Sequence, residues 1–167
     1  DRKDTYVEIL CNQIYRERGF ESNPWSRKVH FKRNVLERNR DYGENSGFSV
    51  LYHFTMAEHF IPQKLLVVAE HPELCEIRIN GVAVEWQEAP SELDHHFGLA
   101  DITTDVVAGE NTIEIRVTRF DVLMEVDAIY LKGDFSVHEM DGRWVLEQPT
   151  TLQYGSWKNQ GLPFYPY

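Results

Sequence analysis

From Phe48 onward the chain alternates apolar and polar residues with a period of two, and this pattern restricts the fold more than any other feature. In FSVLYHFTM, Phe48, Val50, Tyr52, Phe54 and Met56 fall on one face, while Ser49, His53 and Thr55 fall on the other. Strand side chains point alternately to two faces, so the run predicts a half-buried strand. Residues 64–70, KLLVVAE between Pro62 and Pro72, are apolar on both faces and predict a central strand covered from two sides. In CEIRINGVAVEW, Cys75, Ile77 and Ile79 are expected inward, the chain turns at Asn80-Gly81, and Val82, Val84 and Trp86 resume the alternation. Asn-Gly between alternating runs is the strongest short hairpin signal, because both residues tolerate positive φ.

A polar, proline-containing loop is expected over residues 87–96. Beyond it, Phe97, Asp101-Ile102-Thr103, a turn at Gly109-Glu110-Asn111 and the alternating Ile113, Ile115 and Val117 imply another strand pair. Residues 126–131 and 135–138 predict short strands around Gly133, and 143–146 a last one after an Asp141-Gly142 turn. Many short strands separated by turn residues predict an all-β fold, an antiparallel β-sandwich with at most one or two short helices. Its stacked sheets are expected to leave no room for a catalytic cleft. The first 47 residues carry less pattern: 6–15 read as a strand through Val7 and Ile9, and 29–38 as a short helix or an edge strand. Residues 1–151 are read as a single domain. Residues 152–167, rich in Gly, Pro and aromatics, are read as a tail leading toward a next domain of a parent chain.

Charge narrows the partners. Asp and Glu number 27 against 17 Lys and Arg, a formal net charge of −10, the opposite of what phosphate backbones attract. Nucleic acid and membrane surfaces are therefore excluded as expected partners, and no run approaches the roughly 18 apolar residues of a membrane helix. Cys11 and Cys75 lack zinc-site spacing and are expected to be free thiols. The motifs G-x-S-x-G, G-x-x-x-x-G-K and H-E-x-x-H do not occur. A glycosidase needs two carboxylates roughly 5–9.5 Å apart across a cleft, but acids such as Glu76, Glu114 and Asp141 fall on solvent faces or in turns. No catalytic residue is assigned. No cofactor is assigned either, although calcium held by loop carbonyls and a carboxylate or two would leave little trace in such a sequence.

Aromatic residues carry the functional signal. Sugar rings stack their C–H faces on Trp and Tyr, and their hydroxyls take Asp, Asn, Gln or Arg beside the platform. Trp86 with Gln87 and Glu88, and Trp157 with Asn159 and Gln160, have that composition; Asp94, His95 and His96 add polar groups in the adjoining loop. The competing role of both tryptophans is packing, in the core or between domains. Adjacent residues on an extended chain point to opposite faces, so His95 and His96 read as loop histidines rather than a ligand pair.

AIYLKGDFSV (128–137), followed by GSWKNQGLPFY (155–165), resembles the accessory region of α-L-rhamnosidase-type glycoside hydrolases. Residues 65–81 and 97–117 are similar to the galactose-binding-like jelly rolls of these enzymes and of β-galactosidase-type hydrolases. The resemblance covers about residues 48–165. It implies a jelly roll and a non-catalytic accessory domain that supports the parent hydrolase by packing against its neighbouring domains; carbohydrate binding is a separate expectation, resting on the Trp86 loop and the aromatic run 155–165. It also implies that the catalytic acids reside in a separate (β/α)₈ barrel, which takes roughly 250 residues and cannot fit here. The alternatives are a domain that lends Asp94, His95 or His96 to the parent's active site, and a purely protein-interaction domain.

Overall fold

Alternation becomes strand pairing in the computed structural model, which describes residues 6–26, 40–88, 96–126 and 129–164. One helix, α1 (Val7–Arg16), precedes ten strands among these residues: β1 (Phe48–Met56), β2 (Leu65–Glu70), β3 (Glu76–Ile79), β4 (Val82–Val84), β5 (Gln87–Glu88), β6 (Phe97–Asp101), β7 (Gly109–Val117), β8 (Ile129–Gly133), β9 (Ser136–Met140) and β10 (Arg143–Glu147). They form two sheets, of order β4-β3-β7-β1-β10-β9 and β5-β6-β2-β8. Pairing is antiparallel except between β1 and β10, which run parallel. The expectation for residues 29–38 lies outside the described residues.

The two sheets share one apolar cluster. Leu65, Val67 and Ala100 enter it from the four-stranded sheet, and Met56, Ile77, Ile79, Ile113, Ile115 and Leu146 from the six-stranded one. Removing the Leu, Val, Ile and Met side chains among them from water stabilises by about 1.5–3 kcal/mol each. Leu65 through Ala69 are all buried, as two-sided coverage of a central strand requires. The Asn80-Gly81 hairpin forms with Ile79 opposite Val82, and its two turn residues have φ of 50° and 85°. Cys11 and Cys75 are not joined in a disulfide; Cys11 is buried and Cys75 half-buried against the main cluster.

Four local expectations are corrected. Residues 7–16 are helical: Cys11, Ile14 and Tyr15 are buried at helical spacing, while Val7 and Ile9, the basis for a strand, are exposed. Gly109, Glu110 and Asn111 are not a turn but the first residues of β7, opposite Met56, Thr55 and Phe54. Nor do β6 and β7 pair; β6 lies beside β2 in one sheet and β7 between β1 and β3 in the other. Val82, expected inward, is exposed on the edge strand β4.

Helix α1 closes one end through a second cluster. Cys11, Ile14, Tyr15 and Phe20 pack there with Val50, Phe120, Val122 and Val126, and Phe48 and Tyr52 of β1 touch both clusters. Arg18, just past the helix, donates to the Ser46 and Gly47 carbonyls at 2.6 and 3.2 Å and lies over the Phe48 and Phe120 rings.

Candidate functional site

The ladder between β1 and β10 contains two pairs, Thr55 with Val145 and Met56 with Leu146, and the Ala57 N–H extends it to the Leu146 carbonyl at 2.9 Å. On its other side β1 pairs with β7 along all nine residues. Toward the Asp141-Gly142 turn, β10 therefore departs from β1, and a cleft of about 850 Å³ opens in the fork. His53, Phe54 and Thr55 form one bank, Gly142, Arg143 and Trp144 the other, and Ile129, Tyr130 and Leu131 of β8 lie across from the opposing sheet. The stacked sheets are expected to leave no room for a catalytic cleft; the fork is an open cleft, and no catalytic role is assigned to it.

Alternation sets what each strand offers. Trp144 shares a face with Leu146, a member of the core, so it points to the inter-sheet side; Arg143 points the other way. Trp144 is 44% exposed, and its ring lies 4.8 Å from that of Phe164, which is 70% exposed. The base is apolar: Ile129, Leu131 and Phe135 pack against the main cluster. The mouth is polar. Arg143 Nη1 meets Glu110 Oε1 at 2.5 Å, with His53 and Thr55 also on the lining. Both partners of this ion pair are well exposed, so it contributes little to stability. Glu110 is the one carboxylate among the described lining residues.

Phe164 is brought there by the tail. Residues 157–160 form a 3₁₀ turn, after which the Gly161 carbonyl accepts from the Val137 N–H of edge strand β9 at 2.7 Å. Gly161 has a φ of 83°, and a Cβ on it would meet Ser136 Cβ at 2.4 Å, so only glycine fits this approach.

None of the candidate binding residues read from the sequence lines this cleft, so far as the structure describes them. Trp86 is half-buried against the main cluster and donates its indole N–H to the Cys75 carbonyl at 3.1 Å, the packing role. Gln87 and Glu88 form β5, opposite Leu99 and Gly98 at the far edge of the four-stranded sheet. Asp94 and His95 lie outside the described residues. His96 is exposed, with its ring 4.8 Å from that of His71 and its carbonyl accepting the His71 N–H at 2.8 Å. Beside them His71 Nδ1 and Glu73 Oε1 are 2.8 Å apart. Burial works to raise the Glu73 pKa, and the His71 hydrogen bond, with other smaller contributions, outweighs it, so the net shift is downward. Trp157 is 38% exposed and Asn159 exposed, but the Gln160 amide is committed to the tail, accepting from Gln153 N at 2.6 Å and donating to the Gln153 and Ser156 carbonyls.

Among the described residues no three His, Cys, Asp or Glu side chains gather as a metal site, and no helix is long and apolar enough to cross a membrane. No family model, curated protein or solved structure matches this chain.

Proposed function

We propose that this chain is a non-catalytic accessory domain of a larger glycoside hydrolase, a jelly-roll β-sandwich of the galactose-binding-like kind, and that it contacts carbohydrate through the fork between β1 and β10. One observation carries the carbohydrate reading: an exposed indole and phenyl ring face an apolar slot whose mouth holds Arg143, Glu110 and His53. A sugar needs both an apolar platform and donors beside acceptors. A volume of about 850 Å³ is within the range of small-ligand sites.

Calorimetric titration with neutral oligosaccharides tests this. Binding in the micromolar to millimolar range, lost in Trp144→Ala with the fold retained, is the expected outcome. Absence of binding to every glycan tried would sink it. A second reading has its own observation: Tyr130, Trp144 and Phe164 line the fork and are each more than two-fifths exposed, enough for this corner to dock against a neighbouring domain of the parent chain. Self-association that Trp144→Ala and Phe164→Ala abolish, without glycan binding, would favour docking.

A further inference from the structure

The cleft is graded from polar mouth to apolar base, and that gradient bears on which sugar it takes. Resting on the carbohydrate reading, we infer that the fork admits the terminal unit of an uncharged glycan and seats an apolar substituent of that unit, a C-methyl or the methyl of an acetyl group, at its base. Three sides are walled. β1 stands on one flank, the β9–β10 hairpin with Phe164 on the other, and β8 closes the floor, so a saccharide enters end-on. At the floor Ile129, Leu131 and Phe135 meet Leu146, and none of these four side chains offers a hydrogen bond; Tyr130, between Ile129 and Leu131 on β8, points to the opposite face by alternation, its ring 6.4 Å from that of Phe97. A hydroxymethyl group driven to that depth loses water without a side-chain partner, whereas a methyl group gains from the same burial. The polar lining, Arg143 with Glu110, His53 and Thr55, belongs to the mouth, where the ring hydroxyls and the glycosidic oxygen of an inserted unit would lie. Arg143 is already matched by Glu110, and the chain carries a formal charge of −10, so an acidic sugar meets no uncompensated cation at this mouth and a repelling field around it.

The test pairs sugars that differ only in the substituent: methyl α-L-fucoside against methyl α-L-galactoside, methyl α-L-rhamnoside against methyl α-L-mannoside, and N-acetylglucosamine against glucose, titrated by calorimetry or by protein NMR shifts. The expected result is a preference of about tenfold or more for the methyl-bearing member of at least one pair, the scale on which a hydrophobic pocket separates ligands by one small group. Trp144→Ala is expected to abolish binding of both members, and Val137→Thr, which puts a hydroxyl into the slot at nearly constant volume, to shrink the preference. Equal affinities within every pair would overturn this inference and leave the carbohydrate reading standing. A preference that survives Trp144→Ala would overturn the assignment to this cleft. No binding of any member would overturn both.

Discussion

Asn111 is fully buried, and its side chain is consumed by local backbone and by the Asn80 amide: Oδ1 accepts from Val107 N at 2.8 Å and from Asn80 Nδ2 at 2.9 Å, while Nδ2 donates to the Val107 and Gly109 carbonyls. Truncation strands several buried polar groups, each worth about 1–3 kcal/mol. Asn111→Ala is therefore expected to destabilise by roughly 2–4 kcal/mol in urea unfolding with the slope unchanged. Asp101, Ile102 and Thr103 form a comparable bracket. Leu65 N donates to Thr103 Oγ1 at 2.9 Å, Ile102 N donates to the Leu65 carbonyl at 3.0 Å, and Thr103 Oγ1 donates to Asp101 Oδ1 at 2.6 Å. That hydroxyl, then the Thr103 N–H, holds the Asp101 carboxyl below its ordinary 3.8. A carboxylate with a depressed folded value contributes stability that is present above the unfolded value and is lost as pH falls through the folded one. The wild type is expected to lose stability below about pH 4 and Thr103→Val to flatten that acid limb, read from urea midpoints at stepped pH. Parallel limbs in the two proteins would remove the role assigned to Thr103. Burial, reinforced by the Glu73 charge and opposed by Trp86, pushes the Cys75 thiol up to about 12. Iodoacetamide at mildly alkaline pH is expected to label Cys75 only after unfolding.

At the scale of elements, helix α1 shows how a short period-two reading misleads. Val7 and Ile9 suggested a strand, but the residues that pack are Cys11, Ile14 and Tyr15, spaced for one helical face. The Tyr15 hydroxyl lies 2.9 and 3.1 Å from the Val122 and Met124 carbonyls, joining the helix to a segment more than a hundred positions away. Tyr15→Phe is expected to cost about 1 kcal/mol through that hydroxyl. Tyr15→Ala should cost roughly 3–5 kcal/mol, because it also empties an aromatic cluster with Phe20 and Phe120. Chemical unfolding of both variants separates the two contributions. By contrast the strands β3 and β4 with their Asn80-Gly81 turn were legible, since the pattern and the turn chemistry lie within one short window.

On the scale of the whole molecule, residues 152–164 return to edge strand β9 and place Phe164 on Trp144. Gly161 is the hinge of that return, since an added Cβ would strike Ser136. Gly161→Ala is expected to lift the tail while the sheets stay folded: faster protease cleavage within residues 150–164, an unchanged far-ultraviolet spectrum, and altered Trp144 fluorescence. Unchanged cleavage would show that the tail does not depend on this approach. Trp144 escaped notice in the sequence because an alternating strand labels it simply as inward, like Leu146. Its exposure comes from the departure of β10 from β1, a relation between segments some ninety positions apart.

Alone, the sequence determined the predominance of β structure from Phe48 onward, the hairpins at Asn80-Gly81 and Asp141-Gly142, and the inward faces of β1 and β2, because each depends on side-chain alternation or on φ preferences within a few residues. Tertiary structure decided the rest: that β6 and β7 part into different sheets, that Trp86 packs while Trp144 stays open, and that a cleft exists at all. The physical reason is that strand partners are chosen by competition among distant segments for backbone hydrogen bonds and shared apolar burial. A local pattern assigns a side chain to a face but not to the neighbour that covers it or leaves it bare.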